Sequence, residues 1–258
     1  MLVLAYHDID PKQCCPWQLC PTILRNQLLL LRSKGYYFIS QKNLRLSDIK
    51  APKSVLVHFD DGRLGVYKYA ISILEELEIP CSIFPVPAFI ENNSTPDCER
   101  YSSFIPWSGL REISKLGHTI GAHTFTHPHM HKLVTSERLL EVGESKGRIE
   151  QELSQSCDHY VAPYGYFNKE IRIMVQSLGF SSLSTTLLGL NQKKPNPFRL
   201  SRWEILSYQS EECFLETLQL LEAQEKEFRI LTLSSPLDTS NLDRIKRAAE
   251  FDLVSDLS

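Results

Sequence analysis

The feature that most constrains this chain is an apolar run that stops at two adjacent carboxylates. Residues 55–59 read Val-Leu-Val-His-Phe, and Asp60, Asp61 and Gly62 follow directly. A short, nearly continuous apolar run is typical of a buried strand, and Asp-Asp-Gly predicts a loop at its carboxyl end. Because two adjacent like charges are unfavourable, the pair predicts a positive partner, for which a metal ion is the obvious candidate.

A pair of histidines further along the chain can supply the other ligands of such an ion. His123 and His127 are four residues apart, so a helical turn or a tight loop places both imidazoles on one side. Two neutral imidazoles and one carboxylate leave an open position on a divalent metal, which is a catalytic arrangement. The second carboxylate of the pair is then available as the base that takes a proton from an attacking water.

Strand-like and helix-like segments alternate along the 258 residues without a break in composition. This alternation predicts a parallel sheet with outer helices, folded as a distorted (β/α)7-type α/β barrel that spans residues 1–258 as one domain. In such barrels the functional residues lie at the carboxyl ends of the strands. The carboxylate pair and the histidine pair both follow predicted strands, which favours one shared site over two unrelated turns.

The composition bears on partners and location. A net charge of −3 without a basic run gives no support for a nucleic-acid partner. No apolar stretch approaches the roughly 18 residues that a membrane span requires. The amino terminus lacks the features of a signal peptide, so we expect a cytoplasmic protein. The seven cysteines have no framework spacing and fit free thiols in a reducing compartment.

The two motifs resemble those of the polysaccharide deacetylase family, which is also called the NodB-homology fold or carbohydrate esterase family 4. Residues 59–62 are similar to its first motif, in which the first Asp is the base and the second a metal ligand. Residues 123–128 are similar to its second motif, in which both histidines are ligands. The resemblance implies that Asp60 is the base. It also implies a divalent metal, Zn²⁺ or alternatively Co²⁺, Ni²⁺ or Fe²⁺, held by Asp61, His123 and His127.

Residues 162–165, Ala-Pro-Tyr-Gly, resemble the third motif of the family, which walls the substrate groove. By this resemblance Pro163, Tyr164 and Gly165 contact the substrate, and the backbone N–H of Tyr164 helps to stabilise the oxyanion. The arginine with which this motif usually begins is absent. Arg202 is a candidate to orient the base from a later strand, and the alternative is an arginine on the surface.

The general acid is missing from the place where the family has it. The late strand predicted at residues 230–236 carries Ser234 and Ser235, and serine cannot protonate an amine leaving group near neutral pH. Residues 3–8 resemble the missing motif moved to the front of the chain. This order occurs in the circularly permuted relatives that deacetylate poly-β-1,6-N-acetylglucosamine. We therefore expect His7 to be the acid, and the alternative is a buried histidine on a first strand.

Two further positions have competing interpretations. His58 shares a strand face with Asp60 and stands where the family usually has a small hydroxyl residue. A buried interior histidine is the favoured interpretation over a catalytic one. Trp107, beside the polar loop at residues 91–106, either packs at a helix start or shapes the sugar groove.

The motifs together predict a metal-dependent hydrolase that removes an N-acetyl group from an amino sugar, a glycan or a carrier-linked sugar. One alternative is a cytoplasmic hydrolase of a non-sugar amide on the same barrel. The other is a catalytically silent glycan-binding protein, which the missing arginine and late histidine would favour. Because one fold can host many functions, the geometry of the site must separate them.

Overall fold

A computed structural model of the chain describes residues 1–92, 103–191 and 195–223. The strands are β1 (Leu2–Tyr6), β2 (Asp8–Ile9), β3 (Gln18–Leu19), β4 (Tyr37–Phe38), β5 (Ser54–Asp61), β6 (Ser82–Pro85), β7 (Thr119–Ile120), β8 (His159–Val161), β9 (Ser182–Ser184) and β10 (Trp203–Glu204). The helices are α1 (Pro21–Ser33), α2 (Leu46–Lys50), α3 (Ile71–Glu76), α4 (Pro87–Asn92), α5 (Trp107–Lys115), α6 (Thr135–Leu153), α7 (Lys169–Ser177) and α8 (Glu211–Ala223).

The predicted late strand at residues 230–236, with Ser234 and Ser235, lies outside the described residues. Residues 93–102 of the predicted polar loop lie outside them as well. Within the described ranges, no helix is both long enough and apolar enough to cross a membrane.

Seven parallel strands follow one another around a ring in the order β10, β1, β5, β6, β7, β8 and β9. An isolated parallel bridge between Ala122 and Tyr160 connects β7 to β8, and a second between Ser184 and Leu200 connects β9 to the approach of β10. Pairing of β10 with β1 closes the ring. The prediction of a (β/α)7-type parallel barrel with outer helices is therefore confirmed.

The two faces of β5 pack against different parts of the protein. One face belongs to the main hydrophobic core between the ring and the helices, and it comprises Val55, Val57 and Phe59. Leu56 on the other face belongs to a small separate cluster near the amino ends of the strands. Since side chains alternate along a strand, His58 and Asp60 share the interior face with Leu56. Asp60 is therefore the interior residue of β5 that lies closest to the carboxyl ends of the strands.

The ladder of β5 extends through both carboxylates, which corrects the prediction of a loop at these residues. Asp60 pairs with Phe84 and Asp61 with Pro85, so β6 holds the end of β5 in register. The chain turns away at Asp61 and Gly62, whose φ angles of 67° and 70° are left-handed. A Cβ at Gly62 would lie 2.8 Å from the Cβ of Pro85, so this position requires glycine.

Candidate active site

A cavity of about 450 Å³ opens at the carboxyl ends of the barrel strands. It brings together residues that the sequence analysis selected from five separate segments. They are His7, Asp60, Asp61, His123, His127, Tyr164 and Arg202. The convergence follows from the parallel ring, because every strand delivers its last residues to the same end of the barrel.

Asp61, His123 and His127 present three potential metal ligands to one point. The Oδ1 atom of Asp61 lies 3.7 Å from Nε2 of His123 and 3.6 Å from Nε2 of His127. The two Nε2 atoms are 3.1 Å apart, and the three ligand atoms all lie within 4.8 Å of one another. This set of one oxygen and two nitrogen donors can hold a divalent transition metal and leave a coordination position open.

Hydrogen bonds around the two histidines fix the tautomer of His123 and the loop that carries His127. The Nδ1 atom of His123 lies 2.8 Å from the carbonyl oxygen of Val161. This contact requires the proton on Nδ1 and leaves Nε2 with its lone pair towards the ligand cluster, as at many metal sites. The backbone N–H of His127 donates to Oγ1 of Thr124, at 3.1 Å, which holds the short loop between the two histidines.

The electrostatics of the cluster keep both imidazoles neutral, which metal binding requires. Burial lowers the pKa of His123, against the opposing attraction of Asp60 and Asp61. Burial, followed by repulsion from His123, lowers the pKa of His127 to about 4. Burial by itself would raise the pKa of Asp61, but nearby positive groups, among them Arg63, lower it overall. The residues present therefore fit a divalent metal in both donor chemistry and protonation.

Asp60 pairs with Arg202 in the interior of the barrel. Nη1 of Arg202 lies 2.8 Å from Oδ1 of Asp60, and both side chains are almost fully buried. Nε of Arg202 donates to the carbonyl oxygen of Thr185, also at 2.8 Å. Burial alone would raise the pKa of Asp60, but the charge and hydrogen bond of Arg202, together with His123 and His7, outweigh burial and place the pKa well below its usual range. Asp60 is thus ionised and held in one orientation, and Arg202 is not a surface residue.

His7 lies directly after β1 and lines the same cavity. Its Nε2 atom is 3.9 Å from Oε1 of Glu204, on the neighbouring strand β10. Burial lowers the pKa of His7 despite the opposing effect of Asp61 and Asp60. The structure therefore places this histidine at the same end of the barrel as Asp61, His123 and His127.

Tyr164 borders the cavity from the single 3₁₀ turn Pro163–Gly165 that follows β8. Its φ of 54° is left-handed, and Asp61, Thr124 and His127 share this conformation, which is uncommon for residues other than glycine. Backbone strain of this kind concentrates at functional sites, where the surrounding structure has to maintain it. Pro163 is buried, and neither it nor Gly165 is among the residues that line the cavity.

The structure does not bring Trp107 to the cavity, which corrects its assignment to the sugar groove. Trp107 is the first residue of α5 and packs against the main core, with the guanidinium of Arg148 6.0 Å from its ring centroid. His58 is fully buried in the barrel, its ring 4.8 Å from that of Phe84, and burial places its pKa well below the usual value. It therefore lies in the interior as a neutral imidazole, as the favoured interpretation expected.

Several residues of the cavity were not predicted from the sequence. They are Asp8, Cys15, Trp17, Gln18, Arg63, Phe89, Thr126, Ala162, Thr186 and Glu204. Glu204 could have been found, because it is two residues after Arg202 and the strand period places both on one face. Trp17 has no local signal, since its place depends on how a loop folds back over the barrel.

The sequence model of the polysaccharide deacetylase family matches residues 48–183, which is more than half of the 258 residues. The chain belongs to the polysaccharide deacetylase family. The match includes the carboxylate pair, the histidine pair and the Pro163–Gly165 turn. His7 and Arg202 lie outside the matched range, so their place in the cavity is a separate observation.

One relative resembles this polysaccharide deacetylase in sequence, and two solved structures resemble it in fold. YxkH of Bacillus subtilis (strain 168), whose name places it among the polysaccharide deacetylases, is 24% identical over 176 residues, or 67% of this chain. The chain spans about 60% of the length of YxkH. The Streptococcus pyogenes deacetylase PplD, solved in complex with acetate, matches 84% of this chain and 97% of its own with a TM-score of 0.71 and 22% identity. IcaB from Ammonifex degensii matches 86% of this chain and 96% of its own with a TM-score of 0.72 and 20% identity.

Metal binding should persist into mildly acidic solution, because the candidate ligand histidines resist protonation. Protonation of one ligand histidine with an ordinary pKa near 6.5 weakens metal affinity about tenfold between pH 7.5 and 5.5. Protonation of two such histidines weakens it about a hundredfold. Since the pKa of His127 is about 4, proton competition at that residue begins only near that pH. We expect the apparent Kd for Zn²⁺, measured by chelator competition, to change less than about tenfold over this interval. A hundredfold change would contradict this expectation, and Asp61→Asn, which removes a ligand, is the control for binding at this site.

Proposed function

We propose that this protein is a metal-dependent de-N-acetylase that hydrolyses the N-acetyl group of an amino sugar in a glycan. The observation that carries the proposal is that the two adjacent carboxylates at the end of β5 have different partners. Asp60 is ionised and paired with Arg202, while Asp61 lies within the cluster of His123 and His127. One cavity thus contains a base, a ligand set for a metal and a histidine that can act as an acid.

Asp61, His123 and His127 would hold the metal, and Zn²⁺ suits their mixed nitrogen and oxygen donors best. When bound, the metal supplies a Lewis acid that polarises the acetyl carbonyl and acidifies a water molecule. Co²⁺, Ni²⁺ and Fe²⁺ accept the same donors and remain candidates.

Asp60 takes the proton from the attacking water. Its lowered pKa keeps it ionised at neutral pH, so it is ready to accept that proton. Arg202 occupies Oδ1, at 2.8 Å, and leaves Oδ2 as the accepting oxygen. The bond from Arg202 to the carbonyl oxygen of Thr185 holds the guanidinium, and through it the carboxylate, in a fixed orientation.

Tyr164 and His7 act on the oxyanion and on the departing amine, respectively. The backbone N–H of Tyr164 donates to the oxygen that becomes negative when the carbonyl is attacked. Its lowered pKa leaves His7 neutral at rest, so it takes up a proton during the reaction. It then donates this proton to the sugar nitrogen as the C–N bond breaks, so that the amine rather than its anion departs. The products are acetate and a glycan with a free amino group.

The cavity also bears on the two alternatives. A silent glycan-binding protein has no need of a buried arginine that ionises and orients the base, and Arg202 provides both. His7 provides the acid that the sequence lacks at residues 230–236, and it directly follows β1, which pairs with both β5 and β10. These arrangements support an active hydrolase, and the match to the polysaccharide deacetylase family favours a sugar over a non-sugar amide.

Replacement of the base should separate catalysis from metal binding. We expect Asp60→Asn to lower acetate release from N-acetylglucosamine oligomers at least about a hundredfold, because the amide cannot accept the proton. Zinc content should stay near one ion per chain, whereas Asp61→Asn should lose both zinc and activity. Acetate is measured by an enzyme-coupled assay and zinc by atomic emission. Full turnover by Asp60→Asn would contradict its role as the base.

Arg202 should keep the titration of Asp60 below the pH range in which activity is lost on acidification. Arg202→Gln removes the charge that lowers the pKa of Asp60, so this pKa should rise and the loss of kcat/KM on acidification should begin at higher pH. We expect a shift of about one pH unit or more, with a smaller shift for Arg202→Lys, which retains the charge. Circular dichroism checks that each variant is folded. An acidic limb at the same pH in all three proteins would show that Arg202 does not act on the base.

The loss of kcat/KM on replacement of His7 should increase with the basicity of the leaving group. An amide nitrogen needs a proton to depart, whereas the phenolate of an aryl acetate does not. We therefore expect His7→Asn to lower kcat/KM on N-acetylglucosamine oligomers about a hundredfold or more, and on 4-nitrophenyl acetate by less than about tenfold. An equal loss on both substrates would contradict the role of general acid.

A further inference from the structure

A short loop folds back over the cavity between β2 and β3. The backbone N–H of Asp8 donates to the carbonyl oxygen of Trp17, at 3.0 Å, and Nε2 of Gln18 donates to Oδ2 of Asp8, also at 3.0 Å. These bonds attach the end of the loop to the segment that directly follows His7. Trp17 is thus fixed by its backbone beside the proposed acid.

The two residues that precede Trp17 are attached to the segment after β10. The backbone N–H of Ser207 donates to the carbonyl oxygen of Pro16, at 2.8 Å. Its hydroxyl donates to the carbonyl oxygen of Cys15, at 3.1 Å. Because the residues on both sides of Trp17 are hydrogen-bonded, the loop presents the Trp17 ring in a defined position.

The Trp17 ring lies at the His7 side of the cavity. It lines the cavity, and its centroid is 4.6 Å from that of the His7 imidazole, with an angle of 53° between the ring planes. Tyr164, which also lines the cavity, is 53% exposed and stacks on His129 with a centroid distance of 4.1 Å. Aromatic rings therefore border the cavity at both the His7 segment and the Tyr164 turn.

We propose that Trp17 is the stacking platform for the pyranose ring that carries the reacting N-acetyl group. The proposal rests on the proposed function, because it uses the position of the proton donor. The nitrogen that His7 protonates is bonded directly to a ring carbon, so that sugar ring must lie within contact distance of the acid and its neighbour. The C–H bonds on the face of a pyranose carry partial positive charge and pack favourably on the negative face of an indole. Trp17 thereby selects a sugar over a linear or small amide.

Binding can be tested by fluorescence, because the chain has three tryptophans. Trp203 is 3% exposed and Trp107 packs against the core outside the cavity, so a bound sugar should perturb Trp17. The Asp60→Asn variant is titrated with β-1,4- and β-1,6-linked N-acetylglucosamine oligomers. We expect saturable emission changes that disappear in Asp60→Asn/Trp17→Phe and persist in Asp60→Asn/Trp107→Phe. Emission changes that persist without Trp17 would overturn the proposal.

Activity supplies a second and independent readout on the metal-loaded enzyme. We expect Trp17→Ala to lower kcat/KM on the oligomers by about tenfold or more, as for truncation of other buried aromatic contacts. Trp17→Phe, which keeps an aromatic face, should stay within about threefold of the unsubstituted protein, and Trp107→Phe should be unchanged. Equal activity of Trp17→Ala and the unsubstituted protein would overturn the proposal. Equal losses in Trp17→Ala and Trp17→Phe would also overturn it, since they would indicate a structural role for the loop.

The same experiments distinguish failure of this inference from failure of the proposed function. Acetate release that is unaffected by Trp17→Ala leaves the deacetylase in place and removes the platform. Absence of both oligomer binding and acetate release in the metal-loaded, unsubstituted protein would overturn the proposed function and the platform together.

Discussion

The site depends on how the barrel separates two adjacent negative charges. Asp60 and Asp61 are neighbours on one strand, and neither could stay ionised in a buried cavity without a positive partner. The backbone leaves extended geometry at Asp61, whose φ of 67° is left-handed, so the two carboxylates enter the same cavity beside different partners. Asp60 pairs with Arg202, whereas Asp61 has Nε of Arg63 3.5 Å from its Oδ2 atom and faces the neutral His123 and His127 with Oδ1. The different partners explain why one carboxylate can serve as a base and the other as a ligand.

The ring of strands makes this separation possible, but the buried charges and the strained backbone that it requires are destabilising. Arg202 and Asp60 are both nearly inaccessible to water, and loss of either partner would leave a buried charge uncompensated. Left-handed backbone at Asp61, His127 and Tyr164 adds local strain. Such strain persists only when the surrounding structure maintains it, and here β6 holds the end of β5 while Thr124 holds the loop of His127.

The closed ring also explains how a residue near the amino terminus can complete the site. A ring of parallel strands has no first position, so a strand can contribute from either end of the sequence if its neighbours are correct. β1 lies between β5 and β10, and therefore His7 faces Asp61 on one side and Glu204 on the other. The family match at residues 48–183 covers neither His7 nor Arg202, so the cavity is assembled from segments beyond the matched region.

The sequence by itself determined the features that local patterns encode. The apolar run of β5, the spacing of His123 and His127 and the alternation of strands and helices predicted the barrel and one shared site. One detail within this range was wrong: β5 continues through Asp61, because β6 pairs with it. Of the two interpretations left open for Trp107, packing at a helix start is the one that the structure supports. Neither could be read from the sequence, since each depends on a neighbour that is distant along the chain.

Only the tertiary structure decided which distant residues meet. Arg202 lies 142 residues from Asp60 along the chain, and the sequence left its place open between the base and the surface. Trp17 and Glu204 reach the cavity through a folded loop and the pairing of β10 with β1. Sequence periodicity reports which face of its own element a residue occupies, whereas ring closure fixes which faces come together. The sequence therefore selected the proposed base and the candidate ligands, and the closed barrel supplied their partners.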